Sequence, residues 1–174
     1  MACERQDYPY DLKDIYVPQW ATQFSVSPEP YKFMLSVGLT NRCNYACPFC
    51  YYHASQGSAL TQDLPLAILE QVLNSCPPLQ CINFALEGEP LCHPQFLAAV
   101  YLAAQHARSV ALSTNSSLLN KSLLSKLSAY TFSLITLSLA GSDKESYARF
   151  NCGGSFTRFM RNATDAVQTF GDVV

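Results

Sequence analysis

Residues 81–141 read CINFALEGEPLCHPQFLAAVYLAAQHARSVALSTNSSLLNKSLLSKLSAYTFSLITLSLAG. The short apolar run CINFAL (81–86) reads as a buried strand. HPQFLAAVYLAAQHA (93–107) reads as a helix with Pro94 at its start. SVALST (109–114) is again strand-like. In 118–130, Leu119, Leu123, Leu124 and Leu127 fall on one helical face. FSLITLSLAG (132–141) is a third strand. Working outward, YKFMLSVGLT (31–40) is an apolar strand, and 63–75 is a helix capped by Asp63 with Pro65 in its first turn, ended by Pro77 and Pro78. Downstream, 144–150 forms a short helix, Gly153 and Gly154 break the chain, and 155–170 forms a longer helix. Strand and helix alternate four times, which predicts an α/β fold with parallel strands in the order 1-2-3-4. Four such units make either an open sheet or the first part of a larger barrel.

The whole chain has 174 residues, room for one domain of ordinary size. Hydrophobic residues make up 49% and charged residues 14%, which excludes a disordered chain or a coiled coil. Residues 1–30 carry Pro9, Pro18, Pro28 and Pro30 and read as an extended lead-in to a core over 31–174. A net charge of −2 offers no basic surface for nucleic acid, so no nucleic-acid partner is expected. The longest apolar stretch, Phe96 to Ala104, falls far short of the roughly 20 residues of a membrane helix. The N-terminus has no apolar signal segment, so the expected location is cytoplasmic.

Eight cysteines stand at 3, 43, 47, 50, 76, 81, 92 and 152. Without an export signal, and with enough apolar residues for a core, disulfide staples are not expected. Cys43, Cys47 and Cys50 form C-x3-C-x2-C, a spacing suited to one metal centre. Zinc would need a fourth ligand such as His53 or a distant cysteine. Three thiolates in one short loop better suit a 4Fe–4S cluster with one iron free of protein ligands. Cys76, Cys81, Cys92 and Cys152 read as core thiols, with Cys92 close to the site.

Ligands of parallel α/β folds bind beyond the carboxyl ends of the strands. The loops there carry Cys43 to Cys50, then Glu87-Gly88-Glu89-Pro90, then Thr114-Asn115-Ser116, then Ser138 to Gly141. Four polar clusters at successive strand ends predict one shared site.

LTNRCNYACPFCYY (39–52) resembles the signature of radical S-adenosylmethionine (SAM) enzymes, with Phe49 in its aromatic slot. LEGEPLCHPQFL (86–97) resembles the family's GGEP segment. STNSSLL (113–119) is similar to its S-T-N-G-x-L segment, and residues 136–163 to the segment after the fourth strand. The resemblance covers about residues 33–170 in the right order. It implies a partial (β/α) barrel of about four parallel βα units, a radical SAM core incomplete at its C-terminus.

The resemblance further implies that Cys43, Cys47 and Cys50 ligate three irons, and that the amino and carboxylate groups of SAM chelate the fourth. A reduced cluster would then cleave SAM to methionine and a 5′-deoxyadenosyl radical. By the same resemblance, the Phe49 backbone contacts the adenine, Gly88 allows close backbone approach, and Glu89 accepts from the SAM ammonium. Ser138 meets the ribose, Asn115 lines the pocket and Arg149 meets the SAM carboxylate. The segments are most similar to the branch that modifies peptides and proteins. That implies a peptide or protein substrate and a low-potential electron donor such as flavodoxin or ferredoxin.

Each of these residues also has a plainer reading. Asn115 can be a turn residue, Ser138 a strand-end hydroxyl, Arg149 a solvated helix residue and Glu89 a helix-start carboxylate. His93 is expected to orient the turn before Pro94. Glu87 stands where the family often has Gly, and Ala140 where an acid is common. Strands five and six are missing, so the chain is expected to be a fragment, a truncated gene product, or a half-barrel completed by another chain. The alternative function is a non-catalytic cluster-binding or partner-binding module, and a third is a zinc-binding α/β domain.

Overall fold

In the computed structural model, residues 33–51 and 61–174 are described. The lead-in expected over 1–30, its boundary, Cys3 and His53 lie outside them. The sheet is built from β1 (Phe33–Val37), β2 (Leu79–Phe84), β3 (Ala107–Thr114) and β4 (Phe132–Leu137). All neighbours are parallel, in the order β1-β2-β3-β4. Among the described residues five α-helices accompany them: α1 (Leu66–Ser75), α2 (Phe96–His106), α3 (Lys121–Leu127), α4 (Lys144–Phe150) and α5 (Phe156–Phe170). Short 3-10 turns cover Pro90–Cys92 and Gly171–Val173. This is the expected partial barrel of four βα units.

Register explains the core. Ile82 stands opposite Val110, and Phe84 opposite Leu112, which in turn faces Ile135. These residues point to the helical side, where Leu69, Leu73, Val100, Leu124 and Leu127 meet them in one buried cluster. The next row, Ser36, Asn83, Ala111 and Leu134, points the other way and is lighter. Leu134 there is half exposed. No helix of the described residues is long and apolar enough to cross a membrane.

Element ends depart from expectation in places. Strand two runs 79–84 rather than 81–86, because extended chain begins directly after Pro78 while Leu86 has already left the sheet with φ 84°. Helix α1 starts at Leu66 with Pro65 as its cap residue and no side-chain cap bond. Asp63 is drawn away to Thr40 and Arg42. The later helices carry side-chain caps: Asn120 accepts from Leu123 N–H, and Asp143 forms a capping box with Ser146. His93 does orient its turn. Its Nδ1 accepts from Gln95 N–H at 3.1 Å, which leaves Nε2–H to donate to Leu64 O at 3.1 Å.

Candidate active site

The cysteine loop leaves β1 and is closed at its neck. Thr40 and Asp63 form an antiparallel bridge, and Asn41 N–H donates to Gln62 O at 3.1 Å. The Asp63 carboxylate accepts from Arg42 Nε at 3.1 Å and Nη2 at 2.6 Å, and from Thr40 Oγ1 at 2.7 Å. These bonds, Thr40's foremost, hold the Asp63 carboxyl below its ordinary range. Inside the loop, Cys50 N–H donates to Cys47 O, closing the turn that holds Phe49.

Cys43, Cys47 and Cys50 are free thiols. Cys43 is open to solvent on one side yet crowded by protein. That crowding, then the charges of Glu89 and Cys50, push its thiol up. Burial and the neighbouring thiols Cys43 and Cys50 do the same at Cys47. Such thiols give up their protons when a cation arrives to offset the charge. Among the described residues no three His, Cys, Asp or Glu side chains converge on one ion. Three soft sulfur donors carried on one short loop suit a cluster, in which each sulfur binds its own iron. The donor set fits a 4Fe–4S group.

The loop after β2 locks onto this neck. Gly88 has φ 65°, and a Cβ there would lie 2.3 Å from Thr40 O and 2.6 Å from Arg42 O. Only glycine fits. The next residue, Glu89, donates its N–H to Arg42 O at 2.7 Å. Its side chain is 2% exposed. Oε1 accepts from Thr114 Oγ1 at 2.6 Å and Leu91 N–H at 3.2 Å, and Oε2 accepts from Asn115 N–H at 2.7 Å. Burial nonetheless pushes the Glu89 carboxyl above its usual range. The helix-start reading is therefore correct as far as it goes: Glu89 caps the 3-10 turn over Pro90–Cys92 and also ties β2 to β3.

Asn115 joins β3 to the cysteine loop. Its Oδ1 accepts from Ser117 N–H and Oγ, as a turn residue would. Its Nδ2 donates to Asn44 Oδ1 at 3.0 Å and approaches Cys43 Sγ at 3.9 Å. Asn44 Nδ2 donates on to Ser117 Oγ at 2.8 Å, and Asn162 on α5 holds Ser116 O at 2.7 Å. Cys43, Glu89 and Asn115 thus belong to one bonded network, with Gly88 packed against the neck beside it.

Phe49 and Arg149 meet through a third residue. The Phe49 and Phe150 rings are 6.4 Å apart, and the Arg149 guanidinium stands 5.6 Å from the Phe150 ring centre. Ser138 is exposed at the end of β4. Its N–H donates to Thr114 O, and its hydroxyl has no bond among the described residues. Of the thiols expected in the core only Cys81 is buried. Cys92 Sγ bonds Asn44 at 3.8 Å and Cys152 O accepts from Ala46 N–H, so both flank the cysteine loop instead. Sequence reasoning named Thr114 only as part of its strand-end cluster and gave Asn44, Ser117, Asn162 and Phe150 no role. All five lay inside the matched segments, and no local pattern singled out the last four.

The sequence profile of the Radical SAM superfamily matches residues 37–174. The chain is 30% identical over 107 residues to the tungsten-containing aldehyde ferredoxin oxidoreductase cofactor-modifying protein of Pyrococcus furiosus, covering 60% of this chain and 30% of that protein. It is 33% identical over 87 residues to an S-adenosylmethionine-dependent nucleotide dehydratase of Selenomonas ruminantium, covering 50% and 31%. The chain therefore spans about a third of the length of the curated relatives it matches. Among solved structures, anSMEcpe with bound AdoMet and the Cp18Cys peptide superposes with a TM-score of 0.59 at 26% identity, covering 78% of this chain and 40% of that one. With the profile running from the end of β1 to the last residue, and the cysteine loop at the carboxyl end of a parallel sheet, this chain belongs to the radical SAM superfamily.

Proposed function

We propose that this chain carries the cluster-binding and SAM-binding part of a radical SAM enzyme, with its core over residues 31–174. The observation that supports it most is the bonded network joining Cys43, the first of three free thiols in one loop, to Asn115 and Glu89 at successive strand ends. Cys43, Cys47 and Cys50 would hold a 4Fe–4S cluster. When bound, the cluster supplies the electron that cleaves SAM to methionine and a 5′-deoxyadenosyl radical.

The chain's own residues orient and neutralise. An ionised carboxylate has about four acceptor positions, and Glu89 uses three of them on Thr114, Leu91 and Asn115. One position on Oε2 is left for the SAM ammonium. Those three donors also keep the carboxylate from turning. Asn115 is held by Ser117 and Asn44 and lines the pocket. Phe49 offers its backbone to the adenine, beside the Phe150 ring. Ser138, with its free hydroxyl, meets the ribose. Arg149, which stands beside the Phe150 ring, is the group we assign to the SAM carboxylate.

The substrate we favour is a peptide or protein side chain, supported by the solved relative that holds both AdoMet and a peptide. A low-potential donor such as flavodoxin or ferredoxin would reduce the cluster in the cytoplasm. A second reading, a cluster-binding module that leaves SAM intact, draws on the deep burial of Glu89.

Anaerobic reconstitution with iron and sulfide separates the readings. The expected result is about four irons per chain, lost when Cys43, Cys47 and Cys50 are all replaced by Ala, and 5′-deoxyadenosine formed from SAM under reduction. A full cluster without SAM cleavage would support the module. Glu89→Gln should weaken SAM binding roughly tenfold to a hundredfold, the size of one charge-assisted hydrogen bond. Calorimetry on cluster-loaded wild type and variant checks this, and equal affinities would remove Glu89 from the pocket.

A further inference from the structure

The cysteine loop has an anchor that is not a ligand. Tyr45 lies between Cys43 and Cys47, yet its ring is 6% exposed. It sits in a small buried cluster with Tyr147 and Phe159, apart from the main core, and Cys47, Leu137, Phe156 and Ala163 pack around it. Tyr147 is fully buried, and its ring is 5.6 Å from both Phe156 and Phe159. So α4 and α5 together make an aromatic box that the Tyr45 ring enters, with Cys47 packed beside it. The two phenol oxygens are 3.4 Å apart. Tyr45 N–H also reaches back to Cys43 Sγ at 3.4 Å. The neighbouring Ala46 N–H donates to Cys152 O at 2.9 Å, fixing the loop to the segment after α4.

That segment contains the space the ring needs. A Cβ on Gly154 would lie 2.8 Å from Tyr45 Cζ, 2.8 Å from Tyr147 Cε1 and 2.8 Å from Asn151 O. Two of these are atoms of rigid rings and one is backbone, so none yields easily. Gly153 lies beside it, where a Cβ would stand 3.2 Å from Asn44 O. The glycine pair thus lets the chain after α4 press against the cysteine loop over Asn44 and Tyr45.

We propose that Tyr45 is a positioning residue that sets the three thiols for the cluster, and that Gly154 makes the room for its ring. The inference rests on the cluster assignment above and adds where the loop takes its shape. The other large side chains of the cysteine stretch, Phe49 and Tyr51, are exposed and bury little with which to fix it. The neck at Thr40 and Asp63 fixes only its ends. The Tyr45 ring fixes its middle, one residue from the first backbone bond to Cys152 and two from each of Cys43 and Cys47. The ring does this by filling the box. The paired hydroxyls satisfy each other in a buried place and are dispensable as a pair, since removing both partners of a buried bond costs far less than removing one.

The test compares iron content, visible absorbance and the electron paramagnetic resonance spectrum of the reduced protein after anaerobic reconstitution. Tyr45→Ala should retain roughly tenfold less iron, as losses of supporting residues around metal ligands do, with a broadened spectrum. The sheet should stay folded by circular dichroism. Tyr45→Phe combined with Tyr147→Phe should load like wild type and give the same spectrum. Gly154→Ala should lose iron like Tyr45→Ala, although it lies far along the chain from every ligand. A folded Tyr45→Ala with full iron and an unchanged spectrum overturns the proposal. If Tyr45→Ala does not fold, Gly154→Ala decides by the same readings. Global unfolding of both also counts against it, because a satellite cluster should be lost without the main core. Failure of wild type to load would instead strike the cluster assignment itself.

Discussion

Ser116 is fully buried, with φ 60° and a hydroxyl that has no partner among the described residues. A non-glycine residue in the left-handed region carries strain, and an orphan buried hydroxyl adds a desolvation cost. Ser116→Gly should therefore raise stability by about 1–2 kcal/mol, the extra backbone freedom of glycine in the unfolded chain offsetting part of the gain. The check is a higher urea midpoint with an unchanged slope. Gly88 behaves in the opposite sense. Gly88→Ala drives a Cβ into Thr40 O and Arg42 O and should cost at least about 2 kcal/mol. Both variants change the backbone at the site without touching a ligand. They should move stability in opposite directions in the same denaturation experiment.

At the scale of elements, the neck of the cysteine loop is the feature most open to titration. The Asp63 carboxyl is held low by Thr40 and Arg42, so it is more acidic in the fold than in the unfolded chain. Its contribution is fully present above the unfolded value, about pH 4, and is lost as pH falls through the lower folded value. Asp63→Asn should thus destabilise near neutral pH by no more than about 1 kcal/mol, since the pair is partly exposed. The difference from wild type should shrink as the pH drops below about 4. Urea titrations across that range check it; a difference that grew in acid would contradict the assignment. The alternation of strand and helix, and the cysteine spacing, were legible because hydrophobic period and ligand spacing are local properties. Asp63 was misread for the same reason. A carboxylate three residues before a helix looks like a cap until Arg42, 21 positions away in the chain, takes it. Likewise Tyr45 reads as one more aromatic beside cysteines. Its burial depends on Tyr147 and Phe159, which no local pattern links to it.

Among the described residues, two buried clusters of unequal size divide the labour. The larger joins the sheet to α1, α2, α3 and the end of α5, while the smaller holds Tyr45, Tyr147 and Phe159. Regions with fewer buried contacts open more readily. Amide hydrogens of the Tyr147 and Phe159 helices should exchange faster than those of Val110 to Leu112. Cluster loading should slow the exchange in the smaller unit first. Exchange measured by mass spectrometry with and without iron and sulfide tests this, and uniform protection of both units would argue for a single cooperative block.

The aromatic box also sets a schedule for synthesis. The chain is made from its N-terminus, so Cys43, Cys47 and Cys50 emerge before the residues that hold their loop. About 110 residues separate Cys50 from Asn162. At roughly 5–20 residues per second that interval lasts about 6–22 s. Through it the three thiols are out in solution while Glu89, Asn115, Tyr147 and Phe159 arrive one after another. On the proposed role of the aromatic box, metal insertion would follow the appearance of α5 rather than that of the cysteines.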